Sequence, residues 1–462
     1  MANGKCGKNL TWTLDDGKLT ISGTGDMDDY LFDGMCSPWY SAPRLIKRVV
    51  IAEGVTSIGE HAFNGCTNLT DVTIGNSVTS IGNGAFSWCT SLTDVTIGNS
   101  VLTIGDYAFK SCTNLTDVTI PDSVKTIGYG AFDGCENLTN ITIPDGVKEI
   151  GDQAFCGCKS LTSVTFPDSV TSIGAGAFHL CKNLASVIIG NGVTTIDDFV
   201  FGCCENLTSV TIPDGVEVIG EHAFSCCTGL TNVTIPDSVK TIANWVFNEC
   251  NNLTNVTVPD GVTEIGSCVF YGCAKLTSVK IPAGVTEIGN YAFNGCQSLT
   301  NVTIPDSVTE IGCEAFKYCA SLKGVTIGNS VTEIGYEAFS CCGLTSVTIP
   351  DSVEKIGKYA FHNCKNLTSV TIPDSVTSIG EQAFSWCHSL TSVTIGNSVT
   401  SIGKYAFLNC TGLTEVIIPD SVKEVGSGAF YGCTNLRKIS YPAGAEFDWE
   451  LSSGNDAELI PY

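Results

Sequence analysis

Apolar and polar residues alternate along this chain in a pattern that returns every 23 residues. One unit, Leu69–Ser91, reads LTDVTIGNSVTSIGNGAFSWCTS. Its opening L-x-x-V-x-I segment predicts a short strand whose apolar side chains face inward. A Gly-Asn or Pro-Asp turn follows, and the next V-x-x-I predicts a second, shorter extended piece. Ala85, Phe86 and Cys89 then have the 3–4 spacing of one helical turn.

Phe and Cys mark the period most clearly. Seventeen Phe, from Phe63 to Phe430, and seventeen Cys, from Cys66 to Cys433, occupy two fixed positions of the unit, with one residue deleted before Cys364. A fixed period of this length is typical of a solenoid. Each unit has too few apolar residues to fold alone, so neighbouring coils must stack to complete a core.

The consensus L-T-x-V-x-I-P-x-[SG]-V-x-x-I-G-x-x-A-F-x-x-C resembles the BspA-like, or Treponema-type, leucine-rich repeats. The match runs from Ile46 to Asn435. The resemblance implies an α/β repeat solenoid, a right-handed leucine-rich-repeat superhelix with a parallel β-sheet. We therefore expect 17 coils of 23 residues, capped at both ends.

The chain divides into three parts. They are a β-hairpin cap module, seventeen repeats, and a half repeat with a second cap, at residues 1–45, 46–435 and 436–462. The hairpin is predicted because Thr11–Leu14 and Lys18–Ser22 flank Asp-Asp-Gly, a turn sequence. Trp12 and Trp39 are expected to cover the exposed end of the first coil, as a terminal cap of a repeat array must.

Charge and hydropathy exclude two classes of partner. The formal net charge is −24, and no basic patch is present to displace the counterions of a nucleic acid. No apolar run approaches the 18 or so residues that would span a bilayer, so we expect no membrane insertion. We expect a monomer. The chain starts without a signal peptide, but the resemblance implies an extracellular or cell-surface protein whose leader is absent from this chain.

The 25 Cys fall into two groups. The seventeen that mark the repeat are predicted to be buried thiols that pack as small apolar groups. The other eight are Cys6, Cys36, Cys156, Cys203, Cys226, Cys268, Cys313 and Cys341. Cys6 with Cys36, and Cys203 with Cys226, are candidate disulfides, and free thiols are the alternative at both places.

No catalytic, cofactor or metal site is predicted. The five His are scattered, and none shares a local stretch with a Ser or Cys nucleophile, so we expect no enzyme activity. Four consecutive units carry Glu264, Glu287, Glu310 and Glu333 at one position, and ten units carry Asp in the Pro-Asp turn. These rows either bind Ca²⁺ weakly or form a solvated acidic edge, and the second explanation is favoured because no dedicated ligand loop is present.

Large side chains recur two positions before or two positions after the repeat Phe. Aromatic residues serve as anchors in protein interfaces, which makes this side of the coil the candidate partner-binding surface. The candidates are His61, Trp88, Tyr107, Phe199, His222, Trp245, Tyr291, Tyr318, Tyr359, Trp386 and Tyr405. The alternative is that these rings pack along the stack and only fill space between coils.

The resemblance implies a secreted or cell-surface binding protein that adheres to host, matrix or other cell-surface proteins. Its mechanism would be a long, pre-formed, non-catalytic surface, whose rigidity limits the ordering cost of binding. The alternative is a passive structural spacer of a larger surface protein, because many units are nearly identical.

Overall fold

The computed structural model describes residues 2–30, 36–444, 447, 450–451 and 457–462. The chain forms two compact units, Met1–Ser238 and Val239–Tyr462. Within each unit, 23-residue coils stack in parallel and contribute one strand to each of two rows. The solenoid predicted from the period is therefore confirmed in both units.

The first row of strands comes from the L-x-x-V-x-I segments, apart from one strand of the N-terminal cap at its start and one of the C-terminal segment at its end. In the repeats the central Val is buried between exposed neighbours because successive side chains of a strand point to opposite faces. In the first unit these strands are Lys18–Gly23, Arg48–Ile51, Asp71–Ile74, Asp94–Thr96, Asp117–Val118, Asn140–Ile141, Ser163–Thr165, Ser186–Ile188, Ser209–Thr211 and Asn232–Thr234. In the second unit they are Asn255–Thr257, Ser278–Lys280, Asn301–Thr303, Gly324–Thr326, Val347–Thr348, Ser369–Thr371, Ser392–Thr394, Glu415–Ile417, Lys438–Tyr441 and Glu458–Pro461.

The second row consists mainly of short strands that end at the Ile of the Ile-Gly step. Its first strand comes from the N-terminal cap, and its last ends at Val425. In the first unit they are Gly25–Asp26, Val55–Ile58, Ser80–Ile81, Thr103–Ile104, Thr126–Ile127, Glu149–Ile150, Ser172–Ile173, Thr195–Ile196 and Val218–Ile219. In the second unit they are Thr241–Ile242, Glu264–Ile265, Glu287–Ile288, Glu310–Ile311, Glu333–Ile334, Lys355–Ile356, Ser378–Ile379, Ser401–Ile402 and Glu424–Val425.

The register places equivalent repeat positions side by side. Val164 pairs with Val187, 23 residues later, and most of the ladder follows the same rule. Across the one-residue deletion, Glu333 pairs with Lys355, 22 residues later, so the deletion is absorbed outside the strand. Each repeat position therefore forms a column along the stack.

The helical turn predicted for the Ala-Phe-x-x-Cys segment is wrong. The described part of the chain contains no α-helix, and its one helical element is a short 3₁₀ turn at Pro43–Leu45. In the first repeat, Ala62 N–H donates to the Gly59 carbonyl three residues back, whereas Phe63 N–H donates to the Ala85 carbonyl of the next coil at 2.7 Å. Because every second N–H bonds between coils, an α-helix cannot form, and the α/β prediction becomes a β-solenoid.

This alternation puts two residues of each coil in the left-handed region of backbone conformation. They stand two before and two after the repeat Phe, and we call them the upstream and downstream left-handed positions. Among the described residues, 25 that are not Gly have positive φ, and all but Asp16 occupy these two positions. This conformation destabilises an L-residue by about 1–2 kcal/mol because its Cβ lies too close to a backbone carbonyl oxygen. Gly has no Cβ and avoids this clash.

The repeat Phe rings form the centre of the core in each unit. Phe63 and Phe86 stack with centroids 5.1 Å apart and planes 9° from parallel. The separation rises to 6.0 Å between Phe178 and Phe201, where Val200 replaces the usual Ala before Phe. The larger side chain thus spreads the stack locally.

The repeat Cys are buried thiols, and most of them have a hydrogen-bonding role that the sequence did not reveal. Cys89 Sγ donates to the Phe63 carbonyl of the preceding coil at 3.2 Å, and the contact recurs along the column. Burial raises the pKa of the Cys66 thiol to about 12. No disulfide joins any of the 25 Cys, all of which lie within the described ranges, so the candidate pairs Cys6–Cys36 and Cys203–Cys226 are thiols in this structure.

The N-terminal end of the core is closed by aromatic rings. Trp39 stacks on Phe63 at 5.2 Å, and Trp12 meets Trp39 edge-on at 5.9 Å. Strand Leu10–Asp15 forms the expected hairpin with the first of the first-row strands and also pairs with Ala2–Lys5. No helix among the described residues is long and apolar enough to span a membrane.

Candidate functional site

Every candidate partner-binding residue lies at a left-handed position. Their φ angles fall between 52° for His61 and 64° for Trp386. Eight occupy the upstream position, and Trp88, Tyr318 and Trp386 occupy the downstream one. Gly occupies the same two positions in other coils, as at Gly65, Gly84, Gly130, Gly134, Gly157, Gly176, Gly272, Gly295, Gly428 and Gly432. The chain therefore keeps large rings where the backbone favours Gly.

The candidates differ in exposure. The three downstream side chains are exposed, with Trp88 at 53% and Tyr318 at 51%. Three upstream side chains are also exposed, namely Phe199, Trp245 and Tyr291. The other five, His61, Tyr107, His222, Tyr359 and Tyr405, are half-buried. The six exposed rings are the part of the candidate set that a partner can reach directly.

Some of the half-buried rings lie over a Gly of the next coil. A Cβ built on Gly130 would sit 2.8 Å from the Tyr107 ring, and one built on Gly428 would sit 2.7 Å from Tyr405 Cδ1. These rings occupy the space that a side chain would need in the following coil. The space-filling explanation therefore accounts well for Tyr107 and Tyr405.

In the first unit, candidates of consecutive coils meet in one place. Phe199 and His222 stack at 4.5 Å, and His179 meets Phe199 edge-on at 5.7 Å. Burial lowers the pKa of His179 and His222, which favours their neutral forms. Tyr107 instead contacts Tyr129 edge-on at 5.0 Å.

In the second unit, Tyr359 is held by several contacts. It meets Tyr336 edge-on at 5.8 Å and His362 at 5.7 Å. Its phenol oxygen accepts a hydrogen bond from Gln382 Nε2 at 2.9 Å. Trp386 meets His388 edge-on at 5.6 Å.

A half-hidden ion cluster lies on the same side of the second unit, and the sequence reasoning missed it. Lys317 Nζ lies 2.9 Å from Glu314 Oε2 and 2.5 Å from Glu337 Oε2, and the three side chains are only 15–16% exposed. Burial opposes the charge on Lys317, but the bonds from the two carboxylates outweigh it and raise the pKa of the amine. Asn294 Nδ2 also donates to Glu314, at 3.3 Å.

The ion cluster raises the pKa of nearby exposed tyrosines. The charge of Glu314 and a hydrogen bond to it raise the pKa of the Tyr291 phenol. A hydrogen bond to Glu337 raises the pKa of Tyr336 to about 12. Lys317 Nζ lies 5.2 Å from the centroid of the Tyr318 ring. We call Tyr291, Tyr318, Tyr336 and Tyr359 the tyrosine cluster.

Tyr336 was missed because it stands three residues before its Phe, next to the upstream position. The ion cluster did leave a trace in the sequence. Glu314 and Glu337 occupy the upstream position of consecutive coils, and Lys317 follows Glu314 by three residues. Opposite charges in neighbouring columns are a pattern that a search for aromatics alone does not detect.

The acidic rows lie where the repeat predicts. Glu264, Glu287, Glu310 and Glu333 are in register on neighbouring second-row strands, and Lys355 Nζ binds Glu333 at 2.7 Å. The turn carboxylates accept backbone N–H groups of the next coil, and Asp168, Asp306 and Asp374 do so at 2.7–2.8 Å. Within the described ranges, no group of three His, Cys, Asp or Glu side chains could hold a metal ion.

Comparisons with known proteins agree on the repeat class. The family model described as BspA type leucine rich repeat region (6 copies) matches residues 39–159, 125–254, 217–344 and 332–447. No curated protein matches the chain. A leucine-rich repeat protein from Bacteroides ovatus ATCC 8483 has a similar crystal structure, with 27% identity over 98% of both chains and a TM-score of 0.52. A leucine rich cell surface protein from Faecalibacterium prausnitzii A2-165 is 29% identical over 84% of this chain and 93% of its own, with a TM-score of 0.44.

Proposed function

The chain belongs to the BspA-type leucine-rich repeat family, and we propose that it is a non-catalytic binding protein that acts outside the bacterial cell or on its surface. Its partner would be a host, matrix or cell-surface protein. The contact surface would be the side of the coils that carries the left-handed positions, centred on the exposed rings.

One observation carries this proposal, namely the six exposed aromatic rings at strained backbone positions. Each of them destabilises the fold by about 1–2 kcal/mol because its Cβ disfavours positive φ. Gly, which other coils have at these positions, avoids this penalty. Side chains held in unfavourable conformations point to a role beyond folding. Trp88, Tyr318 and Trp386 are the most informative, because their rings are exposed and so gain little from burial in the free protein.

The stack suits the proposed mechanism. Its columns are fixed by strand pairing and by the buried Phe and Cys, so little order has to be gained on binding. Exposed aromatic rings supply large contact areas with few rotatable bonds, and such residues dominate the energetics of protein interfaces. Many moderate contacts along one face would then add up to a specific interaction.

Replacement of exposed rings by Gly tests the proposal with little risk to the fold. The variant would carry Trp88→Gly, Tyr318→Gly and Trp386→Gly, and the control would carry Leu180→Gly, an aliphatic residue at the same downstream position. Both proteins would be immobilised and exposed to purified extracellular matrix and host surface proteins, with binding measured by surface plasmon resonance. We expect a saturable partner whose affinity falls at least about tenfold in the triple variant and stays unchanged in the control.

A passive spacer is the second candidate function. Its support is the regularity of the stack, in which the rings of Phe293, Phe316 and Phe339 follow one another at 5.0–5.3 Å. No saturable partner among the proteins tested, or full binding by the triple variant, would favour the spacer and count against the proposal.

A further inference from the structure

An open cleft of about 580 Å³ lies on the last first-row strands of the second unit. We call it the C-terminal cleft, and it is lined by residues between Ser392 and Ser421 and by Tyr462. Its volume lies within the range of about 300–1,000 Å³ that small-molecule sites occupy. We propose that it binds a neutral pyranose sugar. Because the cleft does not involve the left-handed positions, this inference is independent of the proposed function.

Carboxylate, hydroxyl and amide residues line the C-terminal cleft together. Glu415 and Asp420 bring carboxylates, and Ser392, Thr394 and Asn397 bring hydroxyl and amide groups. A carboxylate only accepts hydrogen bonds, whereas a hydroxyl or an amide can also donate them. Each hydroxyl of a sugar is both a donor and an acceptor. This mixture of groups therefore suits a ligand with several neighbouring hydroxyls.

Ser421 adds a hydroxyl that the fold does not use. Ser421 lines the cleft, and its buried Oγ has no hydrogen-bond partner among the described residues. At the same repeat position, Ser123 and Ser352 donate to a carbonyl of the preceding coil at 2.7 and 2.8 Å. Ser169 and Ser375 lack a partner as Ser421 does, but they do not line this cleft. A ligand can thus bond to Ser421 without breaking a bond of the fold, and it would remove the penalty of an unpaired hydroxyl.

Tyr462 and Ile417 give the cleft an apolar part. The N–H of Tyr462 donates to the Tyr441 carbonyl at 3.0 Å, and its hydroxyl donates to the Ile418 carbonyl at 2.7 Å. Tyr462 nevertheless remains 54% exposed, and Ile417 is 62% exposed in a column where the preceding coil has Thr394. A pyranose has faces of C–H groups, which can pack on a ring that is already fixed and so loses little side-chain entropy.

Lysines of the chain lie beside both carboxylate residues, which favours a neutral ligand over a cationic one. Lys438 stands next to Glu415 in the register of the neighbouring strand. Lys423 Nζ donates to the main-chain carbonyl of Asp420 at 3.0 Å. A cationic ligand would be repelled by these lysines, whereas a sugar hydroxyl can bond to a carboxylate oxygen beside them.

Another cleft of the second unit supplies a contrast. It has a volume of about 550 Å³ and is lined at equivalent repeat positions by Thr303, Thr326, Asp306 and Asn329. The described residues that line it include no aromatic ring and one carboxylate, that of Asp306. The ring and the second carboxylate therefore distinguish the C-terminal cleft from an ordinary groove of the stack, and we expect sugar binding to depend on them.

The test uses the full chain and saturation-transfer difference NMR with the methyl pyranosides of glucose, galactose and mannose and with N-acetylglucosamine. We expect at least one of these sugars to bind saturably, with an affinity that stays the same in about 0.5 M NaCl because the ligand carries no charge. Glu415→Ser should weaken binding about tenfold or more. Glu424→Ser, which removes a carboxylate of the same coil outside the cleft, should leave it unchanged.

Ile417→Thr and Ile188→Thr form a second matched pair. Both residues end a first-row strand and are exposed, and Thr occupies their column in other coils, so both variants should fold. Ile417→Thr should weaken binding about threefold or more, whereas Ile188→Thr should have no effect. Tyr462→Ala should weaken binding about fivefold or more, and Tyr462→Phe, which keeps the ring, should retain most of the affinity.

No saturable binding of any of the four sugars up to about 50 mM, or equal losses in Glu415→Ser and Glu424→Ser, would overturn the inference. Binding of glucosamine, whose amine is charged, without binding of N-acetylglucosamine would assign the cleft to cations and would also refute it. The protein interaction proposed above depends on other residues, so its failure and the failure of this inference are separate results.

Discussion

Replacing Trp88 by Gly should leave a more stable protein than replacing it by Ala, which reverses the usual order of these two residues. The backbone at Trp88 has φ of 62°. Both substitutions remove the indole and its contacts equally. The difference between them therefore isolates the effect of a single Cβ in the left-handed conformation.

The size of the effect follows from two opposing terms. A Cβ at this φ costs about 1–2 kcal/mol, and Ala retains it. Gly loses more backbone freedom on folding than Ala, which costs about 0.5–1 kcal/mol. The balance favours Gly by about 0.5–1 kcal/mol in the free energy of unfolding. Steric fit does not enter, because the Cβ of Trp88 already occupies the position that the Ala Cβ would take.

Urea unfolding of the two variants measures this difference, provided that their m-values agree. Ser87, the preceding residue, is the control because it is buried and does not have positive φ. There Ser87→Ala should be more stable than Ser87→Gly by about 0.5–1 kcal/mol, the ordinary order. If the Ala variant at Trp88 were as stable as the Gly variant, the rings would carry no backbone strain, and the main support for the proposed function would fall.

Three further predictions follow from the columns. Burial raises the pKa of the Cys66 thiol from 9.0 to about 12, so above pH 9 the unfolded chain has lost a proton that the folded chain keeps. Urea unfolding between about pH 9 and pH 11 should then show stability falling by about 1.4 kcal/mol per pH unit from this thiol alone, and a flat profile would contradict this. Glu287→Ser should raise the thermal midpoint in low salt because it removes like-charge neighbours worth about 0.2–1 kcal/mol, and the gain should shrink in high salt. Gly128→Ala should destabilise the protein by about 3 kcal/mol or more, because the new Cβ would lie 2.7 Å from the Asp106 backbone nitrogen. Unchanged urea unfolding would refute this. Ala243→Gly, the reverse change at the same repeat position, is the comparison variant.

Sequence reasoning predicted the coil-to-coil architecture well because the register is a direct consequence of the period. A fixed 23-residue repeat forces equivalent positions into columns, as the pairing of Val164 with Val187 shows. The same reasoning placed Phe and Cys in the core, because apolar residues that recur in every unit must share one environment.

The turn could not be predicted from spacing. Ala85, Phe86 and Cys89 have the 3–4 spacing of a helical face, and they are buried as a helical face would be. The distinction lies in the hydrogen bonds, since Phe86 N–H donates to the Ala108 carbonyl of the next coil and not to a residue of its own turn. Periodicity reports which side chains are buried, but it does not report where the backbone groups find their partners.

The left-handed positions were visible in the sequence in a form that was not recognised. Gly84 and Gly130 alternate in one column with His61 and Tyr107, and alternation of Gly with larger residues indicates positive φ. The ion cluster around Lys317 was harder to foresee, because its bonds join side chains whose reach across coils depends on rotamers that no repeat pattern specifies.

The conflict between backbone and side chain at these positions is the best guide to what the solenoid does. A stack of near-identical coils repeats every local preference many times, so a residue that suits the fold should spread along its column, as Phe and Cys have done. Gly would suit the left-handed columns best, yet Trp88, Tyr318 and Trp386 stand there exposed. Their side chains leave the core unchanged, which makes these columns places where the surface can vary without disturbing the stack. These rings lower the free energy of unfolding, and the isolated fold offers no contact that would compensate for this loss. Binding energy from a partner that contacts the rings would explain why they are present.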